Sequence, residues 1–360
     1  MQTCHLPLAN LPLAPCKLTT CLLQTCLLQT CLLQTPMPPT VSIIIPCLNE
    51  EKTIRLLLSA ITAQTYPIAE MEVIIADGLS EDNTRAEIFA FKEENPDLAL
   101  RVLDSPARKI PTGLNLAIKA ARGEIILRLD AHSAPNHDYV ERCVTALNAG
   151  LGDNVGGIWN IRPGAEGWVA ESIAVSAAHP LGVGDALYRH ATQAQLVDTV
   201  PFGAFRRELV EKIGLFDESL LANEDYEFNT RIRQSGGKIW LDPAIQSIYF
   251  ARPTFGKLAK QYFNYGFWKW KMLRRYPDTL RWRQFLPPLF VLSLLFWLLL
   301  AIFLPISFLF LVLELFLYFS ILFIAGLKKK TPALPIPIAI MHISWGSGLI
   351  WSALSSIMKR

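Results

Sequence analysis

The sequence predicts an α/β fold: a mostly parallel, Rossmann-like sheet with helices on both faces, followed by C-terminal transmembrane helices. Three observations carry this. Short β-branched runs and helical segments alternate four times within about ninety residues after Val41. Polar, acid-rich turns follow those runs, at the strand ends where such sheets bind ligands. From Leu286 the chain turns continuously apolar, directly after a cluster of lysines and arginines.

Val41–Ile45 is a β-branched run ended by Pro46 and reads as a buried strand. A helix over residues 49–58 follows, capped by Asn49, with two glutamates in its first turn suiting the helix dipole. Residues 72–77 form a second strand closed by Gly78, Thr84–Glu94 a helix, and Leu100–Leu103 a third strand. Thr112–Arg122 is helical, Gly123 stops it, and the apolar run Glu124–Leu129 leads to Asp130. Beyond Val155 the pattern is less regular. Phe202–Phe205 reads as a small-residue turn before a helix near Arg207–Ile213. A helix begins at Asn223-Glu224-Asp225 and ends at Gly236-Gly237, and Lys238–Leu241 is a strand.

The chain has 360 residues, a net charge of +3 and a pI near 8.4, too mild a balance to indicate a nucleic-acid partner. Five of its seven cysteines lie in the first 31 residues, three of them in a tandem Thr-Cys-Leu-Leu-Gln repeat. A five-residue period builds no apolar face on helix or strand, and a zinc site would need a second ligand pair. Prolines and the lack of a sustained apolar core speak against a secretory signal. Residues 1–38 therefore read as a low-complexity, disordered extension, with Met37 as a natural initiator. Cys47 and Cys143 suggest no disulfide framework, which fits a reducing compartment.

Residues 286–303 and 306–327 are apolar enough to span a bilayer, and 334–357 is a third candidate, giving two to three helices. Basic residues before the first span and Lys328–Lys330 after the second lie on one side, which the positive-inside rule makes cytoplasmic. The expected location is the inner or plasma membrane, with the globular domain in the cytoplasm. A third crossing would put Lys359 and Arg360 outside, a conflict that an interfacial last segment removes. Glu314, inside the second span, reads first as an acid paired at a helix interface.

Asp130-Ala131-His132 is the most informative triplet. On an extended backbone, side chains at i and i+2 project to one side, so both can meet one divalent cation whose shell a diphosphate completes. Asp77–Thr84 places carboxylates and hydroxyls on a strand-to-helix turn, suited to a ribose or base and equally to a structural Asx-turn. Glu224-Asp225 at a helix start is commonplace. Arg108-Lys109 can neutralise a phosphate or be solvated surface. His179 and His190 lack ligand-spaced neighbours. Gln261–Trp270 is amphipathic and aromatic, an interfacial segment with Trp268 and Trp270 at headgroup level and Lys269 and Lys271 near phosphates.

In order, Val41–Glu51, Asp77–Thr84, Arg122–His132, Phe202–Arg207, Gly214–Glu218 and Asn223–Tyr226 resemble the family 2 glycosyltransferases, which have the GT-A fold. The resemblance covers residues 40–270. More narrowly, it looks like the succinoglycan-type glucosyltransferase branch, whose members extend polyprenyl-diphosphate-linked sugars. It implies a catalytic domain over 39–255, an interfacial segment over 256–285 and a membrane region over 286–357. It implies that Pro46, Asn49, Glu50 and Asp77 line the nucleotide pocket, with Arg108 and Asp130 on the diphosphate. Asp130 and His132 take the metal motif's place, Asp225, with Glu224 beside it, that of the catalytic base, and Gln261 and Trp268 face the acceptor. His132 replaces the commoner second aspartate, which favours Mn²⁺ over Mg²⁺. The processive synthases' Gln-x-x-Arg-Trp is unmatched at Gln261, which favours single addition. The implied partners are a UDP-sugar, a lipid-linked acceptor in the membrane and other glycan-assembly proteins, in exopolysaccharide or cell-surface glycan synthesis. A polyprenyl-phosphate sugar synthase, a processive synthase and a non-catalytic nucleotide-sugar-binding protein remain alternatives.

Overall fold

The structure, a computed structural model, describes residues 40–279 and 281–358. The extension expected at residues 1–38 lies outside them. Strand β1 (Val41–Cys47) leads to α1 (Ile54–Thr62), β2 (Met71–Asp77), α2 (Thr84–Glu94), β3 (Ala99–Asp104), α3 (Ile110–Ala120) and β4 (Ile125–Arg128). β1, β2, β3 and β4 pair in parallel in the order β3-β2-β1-β4. The second half adds β5 (Ser133–Pro135), α4 (Tyr139–Asn148), β6 (Asn154–Arg162), α5 (Trp168–Ala178), α6 (Pro180–Val183) and β7 (Gln195–Leu196). β8 (Ala204–Arg206), α7 (Arg207–Ile213), α8 (Glu224–Gln234) and β9 (Ile239–Phe250) follow. β8 joins β4 antiparallel, and β6, β9 and β5 continue the same sheet.

Alternation along β1 explains the layers. Ile43 and Ile45 face a core completed by Leu57 and Ile61 of α1, Ile88 of α2 and Val140 of α4. Ile44 points the other way, into a core with Leu114 of α3, Leu209 of α7 and Phe228 of α8. With both faces covered, a continuous apolar run is what such a strand requires.

Two local expectations are corrected. Pro46 does not end β1, because it still pairs with Ala76 of β2. Its missing N–H points toward β4, whose pairing has already stopped at Ile44–Arg128, so no bond is lost. Asn49 does not cap a helix at residue 49; α1 starts at Ile54 after Thr53. Instead Asn49 takes a left-handed conformation (φ 56°) and knits two loops together. Its Oδ1 accepts from Glu81 N at 2.9 Å, while its own N–H donates to Ser80 Oγ at 2.9 Å.

At the opposite sheet end, Glu72 is fully buried. It accepts from Ser42 Oγ (2.7 Å), Arg122 N (2.6 Å) and Arg101 Nη2 (2.8 Å). Burial opposes its charge, but these donors win and hold its pKa below the ordinary glutamate value. Glu72→Ala orphans buried donors far from the strand-end loops. It is expected to cost about 1–3 kcal/mol in denaturant unfolding while leaving activity per folded molecule unchanged.

After β9 the chain forms α9 (Phe255–Leu273), then α10 (Leu286–Phe303), α11 (Ser307–Lys328) and α12 (Pro335–Met358). α10, α11 and α12 are each long and apolar enough to cross a membrane. α10 and α11 pair through the Phe290–Tyr318 and Trp297–Phe310 ring stacks and through Ser293 Oγ, which donates to Glu314 Oε1 at 2.6 Å. α12 meets this hairpin near its base. His342 lies on Tyr318 and Gly346 against Pro287.

Candidate active site

The C-terminal ends of β1 and β2 carry the loops 48–51 and 78–84, which are bonded to each other. Glu50 N donates to Thr84 Oγ1 at 2.7 Å, and Asp82 Oδ1 accepts from Thr84 N at 3.0 Å. Asp77 is fully buried, and its carboxylate is engaged by Ser80 Oγ (2.5 Å), Ser80 N (3.1 Å) and Arg85 Nη1 (3.1 Å). These bonds hold the turn. Arg108 leans on Glu81 at 2.6 Å.

Beyond β4 lies the second cluster. Asp130–Ser133 is not extended; it is a tight turn closed by Ser133 N donating to Asp130 O at 3.0 Å, with Ser133 Oγ on the same carbonyl at 2.7 Å. Asp130 and His132 therefore reach one cavity by a turn rather than by strand alternation. His132 Nδ1 lies 3.1 Å from Glu50 Oε1, which ties this turn to the β1 loop. Burial disfavours the imidazolium, but Glu50 and Asp130 outweigh it and hold the His132 pKa above its ordinary value.

A third cluster comes from α8. Asn223, left-handed at φ 64°, turns the chain so that Glu224 and Asp225 begin the helix facing β4. Between the clusters sits Arg128, 4% exposed. It donates to Asp130 Oδ1 (3.1 and 3.2 Å) and to Glu224 Oε1 (2.9 Å). Burial opposes its charge, yet Asp130, Glu224 and Asp225 together keep it firmly protonated. Sequence reasoning passed over Arg128. A single charge inside the apolar run Ile125–Leu129 was the available signal, since a buried arginine demands acidic partners.

Among the described residues Asp225 has no ion pair; its Oδ1 accepts from Tyr226 N at 2.7 Å. Burial and the neighbouring Glu224 charge raise its pKa to about 6, with Arg128 opposing. Glu224, expected beside it as a catalytic group, is instead fixed to Arg128. If ionised Asp225 is the working form, activity falls as pH drops through about 6, roughly tenfold per unit below. A pH–rate profile flat down to pH 4.5 would remove Asp225 from that role.

Asp130, His132, Arg128, Glu224 and Asp225 line one cavity of about 1330 Å³. Pro46, Asn49, Glu50, Asp77 and Arg108 are not in its wall; Glu50 connects to it through His132. The cavity continues past Gln261, which donates to Tyr249 Oη (3.1 Å) and Tyr265 Oη (2.9 Å), to Phe290, Glu314 and Trp345 on the apolar helices. Trp268 lies outside it, half-buried under Lys271. Lys269 is not at a headgroup position. α9 turns it inward, 4% exposed, onto Tyr226 and Thr279 O, and burial brings its pKa down to about 7.

The donor set suits a divalent cation. Arg128 uses Oδ1 of Asp130 and leaves Oδ2 to the cavity, and Glu50 at Nδ1 leaves Nε2 of His132 to ligate. Among the described residues no group of three or more His, Cys, Asp or Glu surrounds one point. Such a cation would thus depend on substrate oxygens, as diphosphate-bound ions do.

A mixed sheet with parallel strands ending in acidic loops, and an acid on the facing helix, defines a GT-A glycosyltransferase. The family model described as Glycosyl transferase family 2 matches residues 42–214, and the chain is a glycosyltransferase similar to that family. It is 29% identical over 248 residues (67% of this chain, 76% of the relative) to the dolichyl N-acetyl-alpha-D-glucosaminyl phosphate 3-beta-D-2,3-diacetamido-2,3-dideoxy-beta-D-glucuronosyltransferase of Methanococcus voltae. It is also 29% identical over 247 residues (68% and 73%) to the succinoglycan biosynthesis protein ExoA of Rhizobium meliloti. The structure of a mannosyltransferase from Pyrobaculum calidifontis, in complex with GDP-Man and Mn²⁺, shares the fold: TM-score 0.56 and 22% identity over 94% of this chain and 95% of that one.

Proposed function

We propose that this enzyme transfers a hexose, glucose by preference, from a UDP-sugar to a polyprenyl-diphosphate-linked or similar membrane acceptor, one sugar per encounter, with inversion. One observation carries the reading: a single cavity joins Asp130, His132 and Asp225 to the apolar helices. A soluble acceptor would need no such continuation. The relatives' names, a glucuronosyltransferase of a dolichyl N-acetyl-glucosaminyl phosphate and a succinoglycan biosynthesis protein, support glycan assembly on lipid.

The mechanism follows from the residues. The loops around Asn49 and Ser80 frame the nucleotide, and Asp130 with His132 would hold a divalent cation, Mn²⁺ rather than Mg²⁺ because imidazole is a ligand. That ion would supply positive charge against the leaving diphosphate. Arg128 keeps Asp130 and Glu224 in place. Asp225 accepts the proton of the acceptor hydroxyl as its oxygen bonds to the anomeric carbon and the bond to the diphosphate breaks on the opposite face. The hairpin holds this site at the cytoplasmic membrane surface.

The test uses purified full-length protein in detergent with Mn²⁺, a panel of labelled UDP-sugars and a membrane lipid extract. One sugar per lipid, from one UDP-sugar, is expected. Long polymer products favour a processive synthase, and release of free sugar alone contradicts the lipid acceptor.

A further inference from the structure

A guanidinium without a counter-charge stands in the wall of the same cavity. Arg189 is 8% exposed, and among the described residues no carboxylate pairs with it. Its contacts include Ala177 O at 3.1 Å, the faces of Trp159 (5.0 Å) and Tyr188 (5.4 Å), and a side-chain hydrogen bond with Tyr188. Arg128, equally buried in this cavity, has two acids. Burying a cation without a partner is unfavourable, and aromatic faces offset only part of that. Burial works against the charge, and the side chains nearby are the hydroxyl-bearing rings of Tyr188, Tyr262, Tyr265 and Tyr249 rather than carboxylates. A charge so placed is satisfied when an anion enters.

Position says which anion. Tyr249 separates Arg189 from the cation-ligand pair: its ring lies 6.3 Å from His132 and stacks at 4.2 Å on Trp159, whose face carries Arg189. On its other side Arg189 is tied to Ala177, at the end of α5. There α6 meets the membrane helices, with Leu181 O accepting from His342 Nε2 of α12 at 2.8 Å. The group at Arg189 thus lies between the transfer centre and the apolar arm.

We propose that Arg189, with the tyrosine hydroxyls around it, is an anion subsite for the phosphate or diphosphate ester of a hydrocarbon-tailed acceptor. This rests on the lipid-acceptor reading above. The donor's diphosphate is the other source of the same chemistry, and the experiment separates them.

Farnesyl diphosphate, farnesol and UDP with Mn²⁺ are titrated into the full-length detergent-solubilised wild type, Arg189→Met and Arg189→Lys. Wild type is expected to bind farnesyl diphosphate at least about tenfold more tightly than Arg189→Met, with Arg189→Lys between them. Farnesol and UDP should bind all three alike. A melting temperature in Arg189→Met equal to or above wild type supports an uncompensated cation. Equal farnesyl diphosphate affinity in wild type and Arg189→Met overturns the proposal. So does a matching loss of UDP affinity, which assigns Arg189 to the donor, or a lower melting temperature with unchanged affinities, which makes it structural. Arg189-dependent binding without any labelled lipid product in the transfer assay would instead sink the transfer reading and leave the subsite standing.

Discussion

Asp225→Asn is expected to lower turnover by about 10²–10⁴-fold, the usual worth of a positioned general base, with UDP-sugar binding intact. The substitution keeps shape and removes only the proton acceptor. Glu224 is expected to replace little of the lost activity, because it is buried and ion-paired with Arg128 at 2.9 Å. Folding should not suffer, since burial already works against the Asp225 charge and the adjacent Glu224 repels it. Calorimetric titration with UDP and Mn²⁺, beside a transfer assay, checks both halves. Near-normal turnover sinks the base assignment, and lost nucleotide binding together with lost turnover points to a structural group.

Arg128→Met is expected to be the most destabilising single change in the site, at about 3–5 kcal/mol in denaturant unfolding. Arginine and methionine share an unbranched stem, so packing is largely kept. What goes is the guanidinium bonded to Asp130 and Glu224, whose charge also acts on Asp225. Three acids then crowd one site without that guanidinium, and Asp225 loses the charge that holds its pKa down. The acid limb of the pH–rate profile should move upward accordingly. The double variant Arg128→Met/Glu224→Gln removes one uncompensated charge and should recover part of the stability, a coupling that a double-mutant cycle measures. Full stability in Arg128→Met would contradict this account of how the site is held.

The sequence made the alternating half of the fold legible, because a strand buried on both faces leaves a continuous apolar run such as Val41–Ile45, and helices such as Thr84–Glu94 end where the apolar spacing ends. β5, β7 and β8 escaped. They are two or three residues long and exist only through partners far away in the chain, as when Ser133–Pro135 pairs with Ser247–Tyr249. Asp130, His132 and Asp225 were named from motifs, and the structure brings them to one cavity. Their linkage was not readable. Arg128 and Arg189 matter through what surrounds them, and burial without a partner is a property of the folded chain, not of a local pattern. Asn49 illustrates the converse. Its identity suggested a helix cap, but a loop thirty-odd residues away competes for the same side chain and wins.

The most direct test of a single transfer centre is a structure of the full-length protein in lipid nanodiscs with a non-hydrolysable UDP-glucose analogue and Mn²⁺. The account predicts the ion on Asp130 and His132, the sugar facing Asp225, and the cavity beyond it running open to the apolar helices. Nucleotide bound with the sugar turned away from Asp225, or in a separate cleft, would contradict it.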